Sequence, residues 1–226
     1  FFFILQIVHF LGTWKLYKIA GFHSWQALIP VYNAYILMKI IGRPTWWVIL
    51  LFIPTINLIM FIVIWVEILR SFGWNSLKNN ALVILTLGLY VYKLNYSRNQ
   101  KYIPNKSLRQ RTNFGETVGS ILFAIVAATI VHNYVIQPYI IPTGSLEKSL
   151  LIGDFLFVSK FHYGARVPMT AVSFPMVHDT IPILKIRSYL KKPQLPYLRL
   201  PGIKKIKRNE IVVFSWPADT VRQFFV

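Results

Sequence analysis

The residues best suited to chemistry lie in Tyr139-Ile140-Ile141-Pro142-Thr143-Gly144-Ser145-Leu146-Glu147-Lys148-Ser149-Leu150-Leu151-Ile152-Gly153-Asp154. A serine that follows glycine, soon after a proline, can be held on a tight turn with its hydroxyl exposed. A serine hydroxyl is a weak nucleophile at neutral pH and needs an adjacent base. The hydroxyl of Thr143, two residues earlier, can point at the same place and donate to an oxyanion. The plain alternative, taken from these residues alone, is that Ser145 caps a turn. The chain has no cysteine, so no thiolate nucleophile or Cys-ligated zinc is available in it. His9, His23, His132, His162 and His178 lack metal-ligand spacing, so no metal or other cofactor is expected.

The elements that must position this stretch are read from hydropathy. Of the 226 residues, 55% are hydrophobic and only 14% charged, against roughly 25% charged in an ordinary soluble domain. That excludes a disordered chain and argues against a water-soluble globule. A membrane-spanning helix needs about 20 apolar residues. No charge falls between Arg43 and Glu67, nor between Glu116 and Glu147. Spans are expected over about 1–14, 44–66 and 79–92, with an interfacial helix over about 23–41 and an anchor helix over 116–137. Intramembrane acids or histidines that would mark a transport path are missing at mid-span, which disfavours a transporter or channel.

The net charge is +18, from 25 Lys+Arg against 7 Asp+Glu. Such a balance implies an anionic partner. No nucleic-acid-binding pattern is present, and the apolar composition favours membrane lipid over nucleic acid. Lys15, Lys18, Lys39 and Arg43, and the basic linker 93–115 with Lys93, Arg98, Lys101, Lys106, Arg109 and Arg111, are expected on the cytoplasmic side. Glu67, Arg70 and Lys78 are expected in an exposed turn on the other side. The last span then carries residues 138–226 outward.

Beyond Pro138 the pattern turns to β. Phe155 to Phe161 and Ile211 to Trp216 read as strands. Between them, 162–209 is expected to be a long, irregular insertion with six prolines up to Pro201, ten Lys/Arg and one acid, Asp179. It is either a solvated basic loop or a contact for anionic lipid headgroups. The expected fold is a multi-span α-helical membrane domain followed by a mainly β extracytoplasmic domain. Residue 1 is Phe and the last residues run off a strand, so the chain is expected to be an internal fragment.

Two ordered blocks resemble the type I signal peptidases of bacteria. The first is Pro142-Thr143-Gly144-Ser145, then Leu150-Leu151, Gly153-Asp154, Phe155 to Val158 and Lys160-Phe161-His162-Tyr163-Gly164. The second is Lys207-Arg208-Asn209-Glu210-Ile211-Val212-Val213-Phe214-Ser215-Trp216-Pro217. The resemblance covers about 116–226 and implies a Ser/Lys-dyad endopeptidase of the cytoplasmic membrane that cuts secretory preproteins after Ala-x-Ala. It makes Ser145 the nucleophile and Thr143 an oxyanion donor. It also implies that Ile141, Pro142, Leu146 and Leu150 wall one substrate pocket, and Tyr139, Leu156 and Val213 a second. Leu146 stands where the family usually has Met, and Glu210 where it has Asp. The family's lysine base lies in a third block, Tyr-x-Lys-Arg-x-x-Gly-x-Pro-Gly-Asp, which these residues do not contain. It is expected beyond Val226, so the fragment itself is expected to be inactive.

Ser145-Leu146-Glu147-Lys148 is also formally the Ser-x-x-Lys of penicillin-binding proteins and β-lactamases. The companion Lys-Thr-Gly is absent, and Ser97-Arg98-Asn99 falls on the expected cytoplasmic side. Lys148 is therefore expected to be exposed. Residues 1–92 resemble a small membrane domain of unknown function found ahead of signal peptidases, through Trp25 to Tyr35 and Gly42-Arg43-Pro44-Thr45-Trp46-Trp47. A non-catalytic membrane scaffold with a degenerate peptidase domain is the alternative function.

Overall fold

The computed structural model describes residues 2–98, 100–104, 106, 113–141, 143–144, 148–177, 180–182 and 185–214. The chain divides into two compact units, one of residues 1–129 with 168–196 and the other of 130–167 with 197–226.

In the first unit, α1 runs Phe2–Ile19, beyond the expected end near residue 14 and through Lys15 and Lys18. Where one interfacial helix was expected over 23–41, there is a short 3₁₀ turn, Ser24–Ala27, and then α2, Tyr32–Ile41. Ile36, Leu37, Met38, Ile40 and Ile41 of α2 are buried, so this helix belongs to the core and not to a surface. Pro30, and Val31 with φ of 66°, part the two pieces. A run this apolar is read equally well as an interface or as an interior by composition alone, and packing decides it.

The uncharged run 44–66 is likewise not one helix. It forms α3, Trp47–Phe52, and α4, Ile56–Ser71. The break lies at Ile53-Pro54-Thr55. A residue before proline is pushed out of the helical region, and Ile53 sits at φ −83°, ψ 117°. Thr55 follows with φ 74°. The chain turns back there, so α4 packs along α3. The expected span 79–92 is also divided, into α5, Leu77–Leu85, and α6, Tyr90–Tyr96. Its turn contains Gly88 at φ 86°, where a Cβ would come within 2.4 Å of the Trp65 indole. Only glycine satisfies both conditions.

The helices are fastened by polar groups among apolar neighbours. Asn95, fully buried, accepts at Oδ1 from the backbone N–H groups of Lys15 and Leu16, both at 3.1 Å, and donates from Nδ2 to the Leu11 carbonyl at 3.2 Å. Its side chain thus reaches into the backbone of α1 and straps α6 to it. Tyr17, Met38, Ile41, Leu69, Phe72, Val83 and Leu94 pack together as the core of this unit.

Glu67 pins the ends of three segments. Its carboxylate lies 2.8 Å from Arg43 Nη2, 3.3 Å from Arg70 Nη1 and 2.6 Å from Lys106 Nζ. Lys106 Nζ also donates to the Glu67 carbonyl and to Ser71 Oγ. The expected separation of Glu67 and Arg70 from Arg43 and Lys106 on opposite sides of a membrane is therefore not what forms. The turn at Pro54 returns α4 to the level of Arg43. At the other end of α4, Thr55 Oγ1 lies 2.7 Å from Ser173 Oγ, and Asn57 Nδ2 donates to the Ala171 carbonyl at 3.0 Å. The hairpin 168–196 joins this unit through those contacts.

In α7, Asn113–Ile130, the helix continues as one π turn through Val135. Among the described residues, Gly115–Val135 is the one helix long and apolar enough to cross a membrane. Its 21 residues reach about 31 Å at 1.5 Å per residue, the thickness of a bilayer's hydrocarbon core. Ser120 and Thr129 return their hydroxyl protons to the carbonyls of Glu116 and Ile125, so neither hydroxyl presents a bare donor to an apolar surrounding.

In the second unit, β1, Ile136–Ile140, pairs antiparallel with β2, Phe155–Ser159. The expected strand at 155–161 thus forms and ends at Ser159. No strand forms over 211–214, and 215–216 lie outside the described residues. The insertion is irregular as expected. Isolated bridges, Arg166 to Arg199 in this unit and Thr170 to Gln194 in the other, replace regular ladders.

Replacing Glu67 by alanine leaves Arg43, Arg70 and Lys106 crowded and largely buried without their carboxylate. Breaking a buried ion pair from one side costs about 3–5 kcal/mol. Thermal unfolding in detergent should show a loss of that order for Glu67→Ala, and a loss below about 1 kcal/mol, the usual ceiling for an exposed pair, would contradict the role given to Glu67.

Candidate active site

The β1–β2 ribbon aims one loop. The ladder pairs Tyr139 with Leu156 and Ile140 with Phe155. Two bonds beyond the strands extend it: Ile141 N–H donates to the Asp154 carbonyl and Gly153 N–H to the Ile141 carbonyl, each at 3.0 Å. Thr143, Gly144 and residues 148–152 therefore lie between these two bonds, beyond the tip of the ribbon. Gly153 has φ 93°, a left-handed conformation suited to glycine. The Asp154 carboxylate accepts from Leu151 N–H at 2.9 Å. The Gly153-Asp154 pair is thus a clasp at the end of the ribbon that leads into Thr143 and Gly144.

Side chains alternate across a strand. Gln137, Tyr139, Leu156 and Val158 share one face of the ribbon, and Pro138, Ile140, Phe155 and Phe157 the other. Tyr139 and Leu156 are directly opposite each other, which brings together two of the expected pocket residues. Ile141 continues the face of Tyr139, is half-buried, and is fixed by the clasp. Thr143 is exposed on the loop, and Leu150 is half-buried at its far side. Val213 is exposed in an extended segment and pairs with no strand among the described residues. Ser145, Pro142 and Leu146 lie outside the described residues. Lys148 is exposed, as expected.

The two sequence blocks meet. Tyr163 OH donates to Glu210 Oε2 at 2.7 Å, and the Lys207 N–H donates to the same oxygen at 3.0 Å. The Tyr163 hydrogen bond, with the Lys207 amide second, holds the Glu210 carboxyl below the usual range, and the same bond raises the Tyr163 phenol. Gly164 has φ 85°, and a Cβ on it would stand 2.0 Å from the Leu200 carbonyl oxygen. Arg199 Nε donates to the Gly164 carbonyl at 2.9 Å. The tyrosine and glycine of the first block are thus explained by the close return of residues 199–210. Sequence reasoning had assigned neither a partner.

Lys160 is a half-buried lysine that sequence reasoning did not weigh. Burial lowers its pKa. Its N–H bonds the Val135 carbonyl at the opposite end of the ribbon from the clasp. The five residues of β1 separate Val135 from Ile141, about 20 Å over six steps of roughly 3.3 Å. A general base must come within about 3 Å of the proton it removes, so Lys160 is not placed as that base. Among the described residues, no group of three or more His, Asp or Glu side chains could hold a metal.

These elements make a β-containing domain carried on one apolar helix, with a clasp at the tip of its ribbon. Residues 114–225 match the model of the signal peptidase family, peptidase S26. Residues 25–105 match that of a family of unknown function, DUF5684. Signal peptidase I of Buchnera aphidicola subsp. Acyrthosiphon pisum is 30% identical over 133 residues, covering 55% of this chain and 34% of that protein. Signal peptidase I of Rickettsia massiliae is 30% identical over 121 residues, with 54% and 36% covered. That of Pseudomonas aeruginosa is 29% identical over 110 residues, with 48% and 34% covered. The chain thus spans about a third of the length of these relatives. No solved structure matches it. The C-terminal half of the chain belongs to the signal peptidase family, peptidase S26.

Gly164→Ala forces a side chain into the left-handed region and against a backbone carbonyl. The strain should destabilise this unit by about 2 kcal/mol or more, seen as faster limited proteolysis near residues 199–202. Tyr163→Phe should let the Glu210 carboxyl titrate nearer its ordinary value. The sign follows from the hydrogen bond: Glu210 is held ionised, so the contact is present at neutral pH and lost as pH falls through the lowered value. A carboxyl NMR titration of Glu210 unchanged by Tyr163→Phe would contradict it.

Proposed function

We propose that the complete protein is a membrane-bound serine endopeptidase that removes signal peptides from exported preproteins. The observation that carries this reading is the peptidase S26 match over 114–225, which takes in the apolar helix and the Thr143-Gly144-Ser145 stretch that follows β1 in the sequence. In this reading Ser145 Oγ attacks the carbonyl carbon of the scissile peptide. A lysine of the family's third block, expected beyond Val226, takes its proton. Such a lysine works as a base when burial in an apolar site disfavours its charge. Thr143 OH and the Ser145 N–H stabilise the oxyanion, the amine leaves with a proton from the lysine, and water then hydrolyses the acyl-enzyme.

Ile141, Pro142, Leu146 and Leu150 wall the pocket for the residue before the cleaved bond. Tyr139, Leu156 and Val213 wall the pocket two residues upstream. Small apolar pockets of this kind accept the Ala-x-Ala pattern of secretory precursors. The shared face of Tyr139, Leu156 and Ile141 supports that grouping. No cofactor takes part.

The protein sits in the bacterial cytoplasmic membrane, with residues 138–226 on the outer side. Residues 1–92 are embedded in it as a multi-pass helical domain. Large exposed apolar side chains on α1, among them Phe3, Ile4, Leu5 and Ile7, support that placement. Membrane lipids, including anionic headgroups, are then partners of the chain.

Ser145→Ala in the complete protein should lower precursor cleavage by about 10³-fold or more, with membrane insertion unchanged. Thr143→Val, which removes one oxyanion donor, should lower kcat by about 10²-fold. Retained cleavage by the Ser145 variant refutes the nucleophile. Loss of cleavage by neither variant, together with binding of precursors, would instead favour a non-catalytic scaffold.

A further inference from the structure

The connection from α4 to α5 and the start of α6 border an open cleft of about 380 Å³, the size of a small-molecule site. Trp74, Asn75, Ser76, Asn79, Tyr90 and Lys93 line it. Asn79 braces the wall. Its side chain donates to the Trp74 carbonyl at 3.2 Å and accepts from the Tyr90 hydroxyl at 3.0 Å, and its backbone N–H donates to Ser76 Oγ at 3.2 Å. The Trp74 and Tyr90 rings stand 6.2 Å apart at 55°. The cleft is therefore built before any ligand arrives, and ordering its walls would cost little on binding.

The groups left over are donors. Asn75 accepts at Oδ1 from Asn80 Nδ2 at 3.2 Å, which leaves its own amide protons for a ligand. Ser76 Oγ already accepts from the Asn79 amide, so its hydroxyl proton is the part still to be used. Lys93 is exposed, and among the described residues it pairs with no acid. Its ammonium lies over the Tyr90 ring, 5.5 Å from the centroid, which keeps it at the cleft. No acid lines the cleft among the described residues. An ammonium, an amide and a hydroxyl without a carboxylate select an anion rich in acceptor oxygens. A choline group would instead meet the Lys93 charge, over a ring that Lys93 already covers.

The surface beside the cleft indicates the kind of anion. Leu77, next to Ser76, is 78% exposed and opens a stripe down α5 with Ala81, Ile84 and Leu85, all exposed and spaced i, i+4, i+7 and i+8. A polar head in the cleft and an apolar chain along this stripe describe one molecule. Trp74 and Tyr90 are of the kind that sits at headgroup level in a bilayer. We propose that the cleft between α4, α5 and α6 binds the headgroup of an anionic phospholipid, with an acyl chain along the stripe of α5. Basic pockets between helices at a membrane face hold lipid headgroups in this manner. The site depends on the placement of residues 1–92 in the membrane and not on the peptidase chemistry.

The test uses the complete protein, purified and delipidated in detergent, and follows its thermal midpoint as lipid is added back. The probes are phosphatidylglycerol, phosphatidylcholine, and inorganic phosphate against chloride at equal ionic strength. Stabilisation by phosphatidylglycerol should exceed that by phosphatidylcholine. Its apparent affinity should fall about fivefold or more in Lys93→Gln, the loss expected for one basic residue at an anionic headgroup. Lys18→Gln, an equal change of charge at the exposed end of α1, should leave the affinity unchanged. Leu77→Gln should weaken phosphatidylglycerol and leave any response to inorganic phosphate alone. Lys93 and Leu77 are both exposed, so neither change threatens the fold. The proposal is overturned by no preference for phosphatidylglycerol, by a preference indifferent to Lys93, or by an equal response to inorganic phosphate that is indifferent to Leu77. Retention of the protein in salt-washed membranes tests the placement separately: a protein that stays there without the preference loses this site alone.

Discussion

Glu67 is the carboxylate on which the arrangement of the N-terminal unit depends. One side chain gathers Arg43 two residues beyond α2, the last turn of α4 and Lys106 from the linker. A buried ion pair adds little net stability over an apolar replacement, because desolvation offsets most of the attraction. Its effect is on which structure forms. Any packing of α2, α3 and α4 that separates Arg43 from Glu67 leaves charges buried alone. The hairpin at Pro54, which returns α4 to Arg43, avoids that. Asn95 does similar work between α6 and α1, since its amide is satisfied only when lodged against the backbone of Leu11 to Leu16.

The C-terminal unit uses backbone constraints in place of charge. Gly153 and Gly164 both lie in the left-handed region, and both stand where the chain must close on itself. Gly153, with Asp154, closes the ribbon at Ile141, beside the described Thr143 and Gly144. Gly164 admits the carbonyl of Leu200 and so brings the block around Glu210 back to Tyr163. The two stretches that resemble signal peptidases are thus linked by contact. Their glycine, aspartate and tyrosine positions hold the backbone of these stretches in place.

The turn at Gly153-Asp154 and the aromatic strand beside it were legible in the sequence. The serine after Thr-Gly, the Gly-Asp clasp and the aromatic strand stand close together, and local geometry follows from local residues. The face shared by Tyr139 and Leu156 required the strand register, which hydrogen bonding between β1 and β2 sets. Val213 was grouped with them by resemblance alone, and no strand pairing among the described residues brings it there. The partners of Tyr163 and Gly164 lie more than 30 residues away, so no local pattern pointed to them.

The sequence by itself determined that the chain is apolar and strongly basic, that it carries an apolar helix near 116–137 long enough to cross a membrane, and that β structure follows. Composition and the length of an uncharged run suffice for that, because a helix crossing a bilayer must satisfy its backbone internally and bury no charge. Tertiary structure alone decided that α2 is interior, that 44–66 is a hairpin, and that Arg43, Arg70 and Lys106 share one acid. The physical reason is that hydropathy measures how much surface avoids water, and is silent on what covers that surface. An apolar run of given length fits lipid, a neighbouring helix, or its own other half after a proline. Packing and the pairing of a few buried charges choose among them.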